Sequence, residues 1–259
     1  MSKKIQLLEQ VLQEGQIVNR GWLYERGISR PRVDYALRAG KLESIAHGVY
    51  RFPGPSLKWE HVVYSLNEMG YQVHVGSRSA LELQGHAHYL PAGGTKRLDL
   101  FGPTKLPAWV LNFSDSYQFT QHNRRLFKNV PVEAIILQPF GAWDWPIPYS
   151  TVELALLELL AGLKTTADFS LADKFFESAV NLRPSLLNLL LHQCKQVKAK
   201  RLFLWFSDRH NHDWLSVLET SNLDIGSGKR MIVKGGTLNS KYQITVPKEM
   251  TGESGTTLY

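Results

Sequence analysis

The chain has 259 residues, 43% of them hydrophobic and 20% charged, with a formal net charge of +7. That balance can bury a real core and excludes a disordered or collagen-like chain. The single cysteine, Cys194, excludes an internal disulfide and a cysteine-built zinc site and fits a reducing cytoplasm.

Met1-Ser2-Lys3-Lys4 leads into an amphipathic stretch with Gln and Glu in it, unlike a signal peptide. Within that stretch Ile5, Leu8, Val11 and Leu12 share one helical face, and Gly15 supplies a stop. Asn19 can cap a second helix through Trp22, Leu23 and Arg26, ended by Gly27. Ser29 offers a cap for a third, with Pro31 tolerated in its first turn and Gly40 closing it. Leu42–Ala46 and Val49–Phe52 around His47-Gly48 predict a hairpin. Three helices and a hairpin are the order of a winged helix-turn-helix. Pro53-Gly54-Pro55-Ser56 breaks the composition and sets the expected boundary, with one domain at 1–54 and another at 55–259.

Beyond the break the pattern predicts an α+β domain. Trp59–Met69 and Ser77–Gln84 (Ser77 as cap) are expected as helices, Gln72–Val75 as extended chain. Strands are expected at Arg97–Phe101, Trp109–Phe113, Gln118–Gln121 and Val132–Leu137, and a loop packed by its own aromatics at Pro139–Pro148. Helices follow at Thr151–Leu163, Leu171–Leu182, Ser185–Gln193 and Val197–Ser207, then strands at Met231–Lys234 and Tyr242–Val246. The most apolar window, Val152 to Leu163, is too short to span a bilayer, so no membrane partner is expected. Glu153 and Glu158 are expected on its solvent side.

Charge is unevenly placed. The first 58 residues hold ten Lys or Arg against five acids, whereas the remaining 201 carry a net charge of only +2. A concentrated basic excess is the footprint of a module that binds a polyanion, although a merely solvated basic face has the same composition. On the third helix Val33, Ala36 and Leu37 form the apolar face, Pro31, Tyr35 and Arg38 lie opposite, and Arg32 and Asp34 flank them. A recognition helix presents its N-terminal residues to DNA, and Arg suits guanine or phosphate. The expected duplex-DNA contacts are therefore Ser29, Arg30, Arg32, Tyr35 and Arg38, with His47 and Arg51 from the wing. In the plainer alternative Asp34 pairs with Arg30 and Arg38 as surface charges. Tyr50 either joins the wing contacts or packs beneath the hairpin.

The run Trp22-Leu23…Gly27-Ile28-Ser29…Gly40-Lys41-Leu42…Ala46-His47-Gly48-Val49-Tyr50-Arg51 resembles the N-terminal domain of AbiEi-type antitoxins. The similarity continues through Ala80-Leu81-Glu82-Leu83-Gln84-Gly85-His86-Ala87-His88-Tyr89-Leu90-Pro91. It ends with Asp224-Ile225-Gly226-Ser227-Gly228-Lys229-Arg230 and Val233-Lys234-Gly235-Gly236…Lys241-Tyr242-Gln243-Ile244-Thr245-Val246-Pro247. The resemblance implies a non-enzymatic antitoxin of a type IV (abortive-infection) toxin–antitoxin pair, without cofactor. It implies that the winged helix represses the operon at inverted repeats in its own promoter, and that the larger region counteracts a cognate nucleotidyltransferase-like toxin. A ligand-responsive transcription factor and a DNA-directed nuclease or nucleotide-modifying enzyme are the alternatives.

Other constellations are weaker. Gly226-Ser227-Gly228-Lys229-Arg230 fails the phosphate-loop pattern at Leu223 and Arg230, so a tight turn is expected. Lys229, Arg230, Lys234 and Lys241 are a candidate basic patch for an acidic toxin surface, a nucleic acid or solvent. His86/His88 and Asp208/His210/His212/Asp213 lack a full ligand set at metal spacing, so capping and stacking on Trp214 are preferred. Trp143 and Trp145 around Asp144 predict a packed loop, and no nucleophile elbow or metalloprotease motif is present.

Overall fold

The computed structural model describes residues 8–86, 96–114, 116–122 and 126–251. In chain order come α1 (Leu8–Val11), β1 (Val18–Asn19), α2 (Arg20–Glu25), α3 (Arg30–Arg38), β2 (Glu43–Ala46) and β3 (Val49–Arg51). They are followed by α4 (Trp59–Glu68), β4 (His74–Val75), α5 (Ser77–Leu83), β5 (Lys96–Phe101), α6 (Ala108–Leu111), β6 (Tyr117–His122), β7 (Ile135–Phe140) and β8 (Trp145–Ser150). Helices α7 (Val152–Gly162), α8 (Thr166–Ser178), α9 (Pro184–Gln193) and α10 (Val197–His210) precede a hairpin of β9 (Thr237–Asn239) and β10 (Ile244–Val246). The fold is mixed helix and sheet, as expected.

Two compact units share the chain. The described residues within Met1–His74, Gly94–Asn123 and Leu137–Pro148 form the first; those within Val75–Gly93, Arg124–Ile136 and Tyr149–Tyr259 form the second. Residues 8–54 are thus one part of the first unit, which runs on through Pro53–Ser56 into α4 and the parallel pair β5–β6. In that part Leu12, Val18, Trp22, Leu23, Ile28, Val33, Ala36, Leu42 and Tyr50 make a core of their own. Strand β3 lies between β1 and β2, both antiparallel to it. A second sheet has the order β6-β5-β4-β8-β7.

The second unit is dominated by α7 to α10, whose Leu154, Leu157, Phe169, Phe176, Leu187, Phe203 and Phe206 are buried together. Each such side chain stabilises the fold by about 1.5–3 kcal/mol relative to exposure. Here the expectation for Glu153 and Glu158 is corrected: both are buried, at 3% and 4% exposure. Burial is tolerated because each carboxylate has partners from distant chain. Arg183 donates from Nε and Nη2 to the two oxygens of Glu153 at 2.9 and 3.0 Å. Glu158 accepts from the Ser77 amide at 2.9 Å and the Ser150 hydroxyl at 2.8 Å.

Other segments also depart from expectation. Trp109–Phe113 is not a strand; α6 covers Ala108–Leu111, since a short apolar run does not distinguish helix from strand. Pro139–Pro148 is not a loop but the ends of β7 and β8 around a turn that uses positive φ at Gly141 (+70°) and Asp144 (+48°). Pro139 is tolerated because β7 is the edge strand. The α5 cap is Gly76, with Ser77 already inside at φ +52°. Helix α8 starts at Thr166, five residues before expectation, because Thr165 and Asp168 form a reciprocal capping box. Near the C-terminus Met231–Lys234 is not a strand; the partner of β10 is β9 at Thr237–Asn239.

Burial alone would push the Glu153 carboxyl up, but hydrogen bonds from Arg183 outweigh it and hold it below the ordinary value of 4.5. A carboxyl depressed on folding stabilises above its unfolded value and loses that contribution as pH falls through the folded one. Thermal stability should therefore decline below about pH 4.5, and Glu153→Gln should flatten that decline while lowering stability at neutral pH. Melting curves from pH 3 to 7 test this, and an unchanged pH profile in the variant would contradict it.

Candidate nucleic-acid interface

Two short helices present the candidate surface. Asn19 caps α2, its Oδ1 accepting from the Trp22 amide at 2.8 Å. Gly27 (φ +78°) then turns the chain, and Ile28 buries ahead of α3. Ser29 takes the cap position of α3 with extended backbone but makes no side-chain capping bond, which leaves its hydroxyl exposed. Val33 and Ala36 are buried and Leu37 half-buried, so the opposite face is turned outward. That face carries Arg30, Tyr35 and Arg38, all exposed, with Arg32 half-buried at the flank. Tyr35 is 62% exposed, an unusual position for a large ring without an outside partner.

Asp34 organises the cations around it. Its carboxylate lies 3.8 Å from Arg30 Nε and 3.8 Å from Arg20 Nη2. Arg38 instead donates from Nε to the Asp34 backbone carbonyl at 3.3 Å. At these distances, and with both partners half-exposed or more, the pairs are loose and competent to exchange for phosphate. Arg20 was not singled out from sequence. It is exposed at the first position of α2 and donates from Nη2 to Tyr50 Oη at 2.7 Å, which links it to the wing. Tyr24, 74% exposed on α2, was missed too. The available signal was their position two turns before the third helix, on a helix whose apolar face is already filled by Trp22 and Leu23.

Of the wing residues only Tyr50 touches this cluster, through Arg20. Tyr50 is buried beneath the hairpin, which settles its two readings. Arg51 is occupied: it pairs with Glu43 across the hairpin and donates to the carbonyls of Pro55 at 2.7 Å and Gly54 at 3.1 Å. With only 12% of its side chain exposed, it fastens the Pro-Gly-Pro segment to β3 rather than pointing outward. His47 is exposed at the turn, where Gly48 takes φ +72°. Both line an open groove of about 1060 Å³ with Lys58, Tyr71, Trp109 and Tyr117; no residue of α3 lines it.

The remaining candidates lie in the second unit, at Trp143 and Trp145 of the first, or outside the described residues. Lys229, Arg230 and Lys234 are exposed, whereas Lys241 is held by Asp208. Asp208 also accepts from Tyr242 Oη at 2.7 Å, and burial, reinforced by that carboxylate, pushes the phenol up to about 12. His210 bonds Asp173 at 2.8 Å, and His212 donates to the Phe176 carbonyl at 2.6 Å while its ring leans on Trp214. His88 lies outside the described residues. In the first unit Trp145 is buried, stacked on Tyr64, and Trp143 is exposed.

Two family profiles together match nearly the whole chain. Residues 1–92 match the profile described as transcriptional regulator, AbiEi antitoxin N-terminal domain, and residues 95–247 that of transcriptional regulator, AbiEi antitoxin, type IV TA system. The chain belongs to the AbiEi antitoxin family. The RV2827C protein from Mycobacterium tuberculosis is similar in structure, with a TM-score of 0.54 and 15% identity, over 88% of this chain and 85% of that one. At that identity the likeness shows a shared fold. No curated protein matches the chain. As an AbiEi-family chain it is a transcriptional regulator and antitoxin of a type IV toxin–antitoxin system. Among the described residues no helix is long and apolar enough to cross a membrane.

Proposed function

We propose that residues 1–54 act as a winged helix-turn-helix that docks α3 in the major groove of inverted repeats in the chain's own promoter and represses the operon. Residues 55–259 counteract a nucleotidyltransferase-like toxin encoded beside it. The observation that carries the DNA reading is the outward face of α3, with Arg30, Tyr35 and Arg38 exposed above a filled apolar face. Its N-terminal end adds the positive end of the helix dipole, which favours phosphate. Ser29 and Arg32 complete the contact set, Arg20 reaches the flanking backbone from α2, and His47 is the wing contact. Arg51 drops from that set because its guanidinium is already spent on Glu43 and the segment after the wing.

Coexpression with the adjacent toxin frame and a promoter reporter test the division of labour. Arg32→Ala with Arg38→Ala should derepress the reporter while cells still survive the toxin. Loss of protection by a variant that remains folded would contradict the division.

A further inference from the structure

The turn Gly226-Ser227-Gly228-Lys229-Arg230 in the second unit has backbone features that promoter binding does not use. Gly226 and Gly228 adopt φ +64° and +76°, while Ser227 between them stays out of the positive region. Alternation of this kind aims successive backbone N–H groups to one side and makes a concavity for anions. Asp224 Oδ1 takes the Gly226 N–H at 2.8 Å, and the Gln243 carbonyl takes that of Arg230 at 2.8 Å. The N–H groups of Ser227, Gly228 and Lys229 have no acceptor among the described residues, and all three residues are exposed.

Exposed amides alone belong to solvent; the side chain beneath them distinguishes this turn. Arg201 of α10 is only 2% exposed. It donates from Nε to the Ile225 carbonyl at 2.7 Å, and from Nη1 to those of Gly228 at 2.6 Å and Gln243 at 3.3 Å. All three acceptors are neutral. Among the described residues no carboxylate forms an ion pair with Arg201, although a buried guanidinium normally has a counter-charge. Drawing the Gly228 carbonyl inward also turns the Lys229 N–H of the same planar peptide outward. Burial, with Arg230 nearby, holds the Arg201 guanidinium below its ordinary value.

We propose that this turn binds a single phosphate group, that of inorganic phosphate or the terminal one of a free nucleotide. The amides of Ser227, Gly228 and Lys229 and the side chains of Lys229 and Arg230 surround it, and Arg201 supplies the field from below. Leu223 and Arg230 break the phosphate-loop pattern, so the site suits one phosphate rather than a magnesium-bound triphosphate. The site is independent of the promoter reading.

The test is amide NMR on the full-length, isotope-labelled chain, titrated with sodium phosphate and separately with adenosine triphosphate at constant ionic strength. The amides of 227–229 should shift together and saturate with a dissociation constant of about 1 mM or tighter. Lys229→Ala with Arg230→Ala, two exposed side chains, should weaken binding about tenfold or more without altering the rest of the spectrum. Equal affinity for the two probes assigns the site to phosphate itself, and tighter triphosphate binding assigns it to a nucleotide. Unmoved 227–229 amides, or binding unchanged in the double variant, would overturn the proposal.

Discussion

Replacing Arg30, Arg32 and Arg38 together by Ala should reduce affinity for promoter DNA by about a hundredfold or more, at about 1–3 kcal/mol for each base contact removed. The same variant should flatten the dependence of log K on log salt, by about 0.9 for each lost phosphate contact. Arg30 and Arg38 lie on the outward face of α3 and Arg32 at its flank, and the bonds of Arg30 and Arg38 go to partly exposed groups of Asp34. Folding should therefore be unaffected. Arg51→Ala supplies the contrast. Its guanidinium joins Glu43 to the Gly54 and Pro55 carbonyls, so its loss should lower thermal stability and leave the salt slope unchanged. Fluorescence anisotropy across a salt series separates the two, and equal slopes in wild type and triple variant would remove α3 from the interface.

Glu158→Ala should be among the most damaging single substitutions in the second unit. Its carboxylate accepts from the Ser77 amide and the Ser150 hydroxyl, and both donors would be left without it in a buried setting. Ser77 is already held at φ +52°, so the turn into α5 loses the bond that steadies a costly conformation. Two orphaned donors and the vacated space should cost about 3 kcal/mol or more. That corresponds to a fall of about 6–12 °C in Tm, readable by calorimetry. A drop of only a degree or two would show that Glu158 is not the keystone of this turn.

The N-terminal region was legible because its signals are local. The Asn19 cap, the glycines at positive φ and the three-to-four residue spacing of Val33, Ala36 and Leu37 all act within one or two turns. The central region was less legible because its decisive partners are remote. Arg183 is 30 residues from Glu153, and Ser77 is 81 from Glu158, so an acid on an apolar helix looks solvent-facing until the fold closes. The β7–β8 hairpin was hidden by Pro139, Pro146 and Pro148, and by a turn that rests on Asp144 at positive φ, where Gly or Asn is commoner. The Arg51 result was within reach: Glu43 stands directly across the hairpin from it, and opposite charges so placed tend to pair. Arg20 was not, since its links to Asp34 and Tyr50 exist only once α2, α3 and the wing meet.

Placing a photo-crosslinking residue at position 35, and in a second chain at exposed Val217 as a control, tests the central claim most directly. With promoter duplex, the probe at 35 should cross-link to bases at each half of an inverted repeat, and the probe at 217 should not. Tight promoter binding with no cross-link from 35, or with cross-links only from 217, would contradict the placement of α3 in the groove.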